Sequence, residues 1–342
     1  MREATRKMKP VMHRRYGGAL LVLSAAVMFG ACGGHPASEL SVTRENNSIA
    51  KLDAEPGPPK AIILEREITG KLFGRKLSAP TAIRQGRNGA YYLIDRGNLR
   101  LVKLDSALNA VADFGGSNSS GGRLLAPNRI AQDGRGNLFL SDAELREVLQ
   151  FDEGLNLVKE ILFADNDDAL KFGEPDGVAV DNDGILWVSD NERSRLAIFD
   201  RFGEFREFYA DFNSGGSHLE RPGAMFPLPQ GGVILCDAGE GQALIFNSYG
   251  VQRGIIGKGI LSSPVDVSID RNGRFWICDS ALAEVLCFQP DGVLLFRTGD
   301  LGAAYNIHLT APTAICVRDD NALLISDTGA DRILVCRIIV AE

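Results

Sequence analysis

Histidine is scarce in this 342-residue chain: there are four, and two of them, His13 and His35, lie near the N-terminus. A metal centre built on a histidine cluster therefore has only His218 and His308 to draw on in the remaining three hundred residues. Long apolar runs are missing too. The longest stretch, Ala19 to Ala31, has thirteen mostly apolar residues, against the ~20 that a membrane-spanning helix needs. The six cysteines show no zinc-ligand or haem-attachment spacing. Basic charge is short as well. The formal net charge is −7, and residues 1–31 hold six basic side chains against Glu3, so without that segment it is −12. A surface of that sign repels phosphate backbones and excludes nucleic acid as a partner. What remains, 45% hydrophobic and 24% charged, is the composition of a globular protein.

The first 31 residues read as an export signal. A basic stretch ending His13-Arg14-Arg15 precedes the short apolar core, and small residues stand before Cys32. Phe29-Gly30-Ala31-Cys32 resembles the lipobox of bacterial lipoproteins, with Phe where an aliphatic residue is usual. That resemblance implies that the Cys32 sulfur receives a diacylglycerol and becomes the new N-terminus. Ordinary signal cleavage is the alternative. Residues 32–59 then form a tether: they lack an apolar period and end in Pro56-Gly57-Pro58-Pro59. A flexible chain of this length reaches about 30 Å, enough to hold residues 60–342 clear of a bilayer.

From residue 60 the chain repeats. Prolines stand at 80, 127, 175, 222, 264 and 312, and fifteen residues after each comes Asp95, Asp142, Asp190, Asp237, Asp279 or Asp327. Nine residues after each proline lies Gly89, Gly136, Gly184, Gly231, Gly273 or Asn321, residue types that tolerate positive φ and mark a turn. Apolar residues three before and three after each proline, such as Leu77 and Ile83, are core positions. Between glycine and aspartate each repeat is apolar at three consecutive positions, as in Leu186-Trp187-Val188, so this strand is buried on both faces. Each repeat is thus a four-stranded antiparallel unit with two faces to cover, and radial stacking of six such units is a six-bladed β-propeller. The sixth repeat stops before its fourth strand. Residues 61–69 form an unassigned strand ahead of the first proline, and the expectation is that they complete the last blade.

Glu174-Pro-Asp-Gly-Val-Ala-Val-Asp-Asn-Asp-Gly-Ile-Leu-Trp-Val-Ser-Asp-Asn-Glu-Arg-Ser-Arg-Leu-Ala-Ile-Phe199 resembles an NHL repeat, and the pattern is recognisable in all six copies. The late basic residue persists as Arg100, Arg195 and Arg332 and becomes Glu147, Gln242 and Glu284 in the other copies. Its loss is expected to be tolerated in a solvent-facing turn. The resemblance implies an all-β, NHL-type propeller, and it brings two rival activities with it. One is recognition of a protein, peptide or glycan. The other is a metal-dependent hydrolase or lyase, like the sugar lactonases or amidating lyases, with a metal on the axis.

The six repeat aspartates suggest Asx-type caps on the turn after the second strand more than a carboxylate ring. Asp165-Asn-Asp-Asp168 and Asp181-Asn-Asp-Gly184 hint at calcium loops, but the first lacks the glycine and distal glutamate, and the second coincides with the repeat's own turn. Cys236, Cys278, Cys287, Cys316 and Cys336 fill apolar strand slots, and an odd set so spaced reads as buried free thiols. Strand alternation places His218 and His308 on long loops at one end of the ring. The mouth of the channel there carries Thr81, Asn128, Asp176, Gly223, Val265 and Thr313, flanked by Glu174 and Arg221. The ligand-binding candidates are therefore Asn128, Asp176, Arg221, Tyr305, His218 and His308 on this loop-rich face. No catalytic set, cofactor or metal is expected. The expected protein is a monomeric binding or scaffolding propeller, lipid-anchored through Cys32 to the bacterial cell envelope on its periplasmic or outer side.

Overall fold

The computed structural model describes residues 57–116, 123–161, 171–209, 218–301, 307–318 and 321–341; more than half of these are in strands, and most of the rest form the turns and loops that connect them. Six four-stranded antiparallel sheets form the blades of a propeller. Their innermost strands are Pro80–Gln85, Pro127–Gln132, Pro175–Val180, Pro222–Pro227, Pro264–Ile269 and Pro312–Val317. Each repeat proline thus opens an innermost strand, a strand position where a missing N–H is tolerated. Every innermost strand touches the next around the ring, and the sixth touches the first.

The second strands, such as Leu186–Asp190 and Phe275–Asp279, are buried at every position, as their unbroken apolar pattern requires. The core lies between blades: Leu77, Ile83 and Leu93 of blade one pack with Ala314, Leu324 and Val335 of blade six. Burial of each large side chain contributes about 1.5–3 kcal/mol, so stability is spread around the ring. Both tryptophans, Trp187 and Trp276, are fully buried.

The N-terminal strand closes the ring. Pro59–Ile68 runs antiparallel to Arg332–Val340, with Ile62 opposite Ile338 and Leu64 opposite Cys336. It begins two residues before the expected 61–69, and it is followed by a small hairpin, Lys71–Leu72 with Arg75–Lys76, that no sequence signal marked.

Two expectations about the repeat need correction. The aspartates do more than cap their own turn: each reaches back to the segment before its innermost strand. Asp142 accepts the N–H groups of Leu125 and Ala126 (2.8 and 2.9 Å), and Asp327 those of Thr310 and Ala311 (3.0 and 2.9 Å). Asp142 also takes the Leu145 N–H from its own turn (3.1 Å). The carboxylate therefore latches the first strand to the second. The late arginine is no solvent-facing residue either. Arg100 is 1% exposed and bonds Asp95 at 2.9 Å, and Arg332 bonds Asp327 at 2.8 Å, so the arginine neutralises the buried latch.

All five described cysteines are free and buried. Desolvation raises their thiol pKa values, to about 12 for Cys287 and Cys336. Cys316 and Cys336 sit opposite Leu324 and Leu323 of the strand that separates them.

Candidate functional site

Innermost strands present alternate residues to the axis, and three of those positions carry charge. Arg84 of blade one forms a two-pronged ion pair with Asp266 of blade five, at 2.5 and 2.8 Å, and also donates to the Ile315 carbonyl of blade six (2.9 Å). Asp266 is fully buried and accepts the Ile315 N–H as well (2.8 Å). Arg129 of blade two donates to the carbonyls of Thr81 (2.7 Å) and, on the far side of the ring, Val265 (2.9 Å). These carbonyls belong to the first residues after the prolines. Arg129 therefore spans the channel at its loop-face mouth, and the Arg84–Asp266 pair crosses it deeper.

The residues expected to form a site on the loop face are spread around this plug. Asn128 is 7% exposed, and its carbonyl takes a bond from the Thr81 hydroxyl (3.4 Å). The Asp176 carbonyl accepts the Ser141 hydroxyl, which ties blade two to blade three. Arg221 is exposed and reaches the Ser263 hydroxyl of blade five (3.2 Å). His218 is exposed, whereas His308 pairs through Nδ1 with Asp300 at the foot of its own loop. Tyr305, the Asp165–Asp168 segment and Cys32 lie outside the described residues. Asp181 spends its carboxylate on the N–H groups of Asp183 and Ile185 and on Trp187 Nε1 (3.0–3.1 Å), so that turn is a structural one. Among the described residues no three His, Cys, Asp or Glu side chains come together in a way that could hold a metal ion. A shallow cavity of about 450 Å³ opens on this face between blades one, two and three, lined by Arg96, Glu144, Arg146, Glu174 and Glu192.

The opposite end of the ring carries the turns between first and second strands. Here the channel mouth is open as a cavity of about 140 Å³, with Arg84 and Phe226 among its lining residues. An adjoining cavity of about 450 Å³ shares Arg87, Gln132, Val180 and Pro227 with it and extends over the turns of blades two and three.

Residues 172–199, from the buried Phe172 to the end of the third strand of blade three, match the family model for the NHL repeat. The third blade is an NHL repeat. The chain is 29% identical over 131 residues to "Protein brain tumor" of Drosophila melanogaster, and 28% identical over 127 residues to "B-box type zinc finger protein ncl-1" of Caenorhabditis elegans. These matches cover 38% and 36% of this chain but only 13% and 15% of those much longer proteins. Among solved structures, a putative gluconolactonase superposes with a TM-score of 0.63 at 14% identity, over 83% of this chain and 95% of that one. Virginiamycin B lyase from Staphylococcus aureus gives 0.56 at 12% identity, over 81% and 100%. At such identities the likeness is one of fold alone.

The axial residues Arg84, Arg129 and Asp266 were not among those singled out from sequence. A signal for them exists. They are the charged side chains two or four residues after a repeat proline, in slots where most copies hold alanine, glycine, serine or another uncharged side chain.

Proposed function

We propose that the protein is a lipid-anchored binding propeller of the bacterial cell envelope, which recognises a protein, peptide or glycan through its loop-rich face. The observation that carries this reading is the arginine plug. Arg129 is tied to carbonyls of blades one and five across the loop-face mouth, so that face offers a surface rather than a deep channel. Its charges alternate: Arg96 and Arg146 lie beside Glu144, Glu174 and Glu192, and Arg146 pairs with Glu192 at 3.5 Å. Such a surface suits a partner that brings both signs of charge and supplies its own apolar or aromatic anchor. The export signal, the small residues before Cys32 and the net charge of −12 beyond residue 31 support an address outside the cytoplasm.

Two measurements test the proposal. Intact mass of membrane-extracted protein should show an N-terminal diacylglyceryl cysteine at Cys32, and Cys32→Ser should release or strand the protein. A free Cys32 thiol would refute the anchor. Partner capture from native envelopes should be weakened by Arg221→Ala, Asp176→Ala or Glu174→Ala. Stoichiometric zinc, lost in His218→Ala/His308→Ala, would instead move the function to a metal-dependent hydrolase or lyase.

A further inference from the structure

We propose that the turn-face mouth of the channel is a second, separate binding site, built for a small amphipathic anion: an apolar body of about ring size that carries a carboxylate, sulfonate or phosphate. The site lies at the opposite end of the ring from the loop-rich face and does not depend on the function proposed for that face.

The inner cavity supplies the apolar part. Its walls include Leu138, Val178, Met225 and Phe226, and its volume of about 140 Å³ accommodates a single ring. At its floor the Arg84 guanidinium lies 5.9 Å from the Phe226 ring centre, with its charge already matched by Asp266. A neutralised floor attracts no counter-ion, so it suits the uncharged end of a ligand. Tyr92 also lines this cavity. The Tyr92 hydroxyl is itself buried, beside the Asn88 and Gln132 side chains.

The outer cavity supplies the charge. Arg87, Arg135 and Arg201 rim it; all three are exposed, and none has a carboxylate within 4 Å among the described residues. Three aspartates share this rim and keep their negative charge, but two of them are turned to neutral N–H groups and form no ion pair with these arginines. Asp133 holds the N–H groups of Arg135 and Asn137 at 2.8 Å and the Asn137 amide at 2.7 Å, and Asp181 is engaged as described above. Asp183 alone keeps a free carboxylate there. Guanidinium forks are the side chains best shaped to hold carboxylate, sulfonate or phosphate oxygens in pairs. A ligand lying with its apolar end on Phe226 and its acidic end between the turns of blades one, two and three would use both halves.

The test uses 8-anilinonaphthalene-1-sulfonate, an aromatic sulfonate whose fluorescence rises on apolar burial, beside its uncharged relative N-phenyl-1-naphthylamine. The full-length protein is expected to bind one sulfonate per chain saturably. Arg87→Gln/Arg135→Gln/Arg201→Gln should weaken it at least tenfold and leave the neutral dye unchanged, whereas Ala131→Phe, which fills the inner cavity, should weaken both dyes at an unchanged melting temperature. Arg221→Gln on the loop face should alter neither. Absence of saturable sulfonate binding, equal affinity in the triple variant, loss of both dyes together in the triple variant, or loss on Arg221→Gln would each overturn the site.

Discussion

Closure of the ring by Pro59–Ile68 can be tested one side chain at a time, because the strand alternates between core and solvent. Ile62 is 2% exposed and Leu64 7%, whereas Ile63 between them is 42% exposed. Ile62 and Leu64 pack in one cluster with Trp276, Leu301 and Ile338, which joins blade six to blade five. Truncating such a residue to alanine costs the transfer free energy of the lost carbons plus a cavity term, about 2–5 kcal/mol. An outermost strand can relax inward more readily than a central one, so about 2–3 kcal/mol is expected for Ile62→Ala and for Leu64→Ala. Ile63→Ala should cost no more than ~0.5 kcal/mol. At roughly 2–4 °C per kcal/mol in a domain of this size, each buried truncation lowers the melting temperature by about 4–12 °C. Deleting residues 60–70 removes both side chains together and bares Leu334 and Ile338, a loss comparable to the ~5–15 kcal/mol by which a domain is stable. Thermal and urea unfolding followed by circular dichroism provide the measurement. Equal effects at Ile62 and Ile63, or a deleted chain that melts at the original temperature, would show that the strand does not close the ring.

Arg84→Met should destabilise by about 3–5 kcal/mol in urea unfolding, because it leaves Asp266 charged and fully buried with one backbone N–H, and adding Asp266→Leu should recover most of that loss. A single variant as stable as the parent would show that the pair does not bridge the axis. Gly177→Ala should cost about 1–3 kcal/mol, since a Cβ there would collide with the Gly223 carbonyl where blades three and four meet. Gly70→Ala, whose Cβ meets nothing within 4 Å, is the neutral control. The five propeller thiols should resist a disulfide reagent at pH 8 in the native protein and all react in urea, and native labelling at any of them would contradict their burial. Their raised pKa values also set a pH dependence. Below the ordinary thiol value of 9.0 both folded and unfolded chains keep the proton, so these groups leave stability unchanged; as pH rises from there toward about 12, only the unfolded chain ionises and stability falls. Unfolding midpoints that stay flat across that range would contradict the shift.

The architecture was legible because its determinants are periodic. A proline that opens the first strand, a glycine or asparagine at the turn and an aspartate that closes the second strand recur at fixed offsets, and the missing sixth outer strand pointed to residues before Pro80. The role of the aspartates was only half legible. Spacing shows that Asp142 follows its strand, but not that Leu125 and Ala126, seventeen and sixteen residues earlier, bring their N–H groups to it. The burial of Arg100 was missed for the same reason: its partner Asp95 was itself taken as a turn cap, so its charge had no evident need of a counter-ion.

The site was harder to see because a repeat search rewards agreement, and the axis is written in departures from it. Six innermost strands converge on one channel, so the residues facing it must be small in most copies. Ala82, Gly177, Ala224 and Ala314 fill the slot two after the proline, and Arg129 and Asp266 break it. A charged side chain in that slot has no solvent and no room, and it survives only by crossing to an opposite wall. Arg129 does so to the Val265 carbonyl, and Asp266 meets Arg84, itself the charged exception in the slot four after the proline. Charge in an axial slot thus reports a contact between strands far apart in sequence, and this chain places its two arginines at different depths. The upper one seals the loop face, while the lower one, neutralised by Asp266, leaves an apolar recess open on the turn face. The same three substitutions that break the repeat therefore decide which end of the channel can admit a ligand.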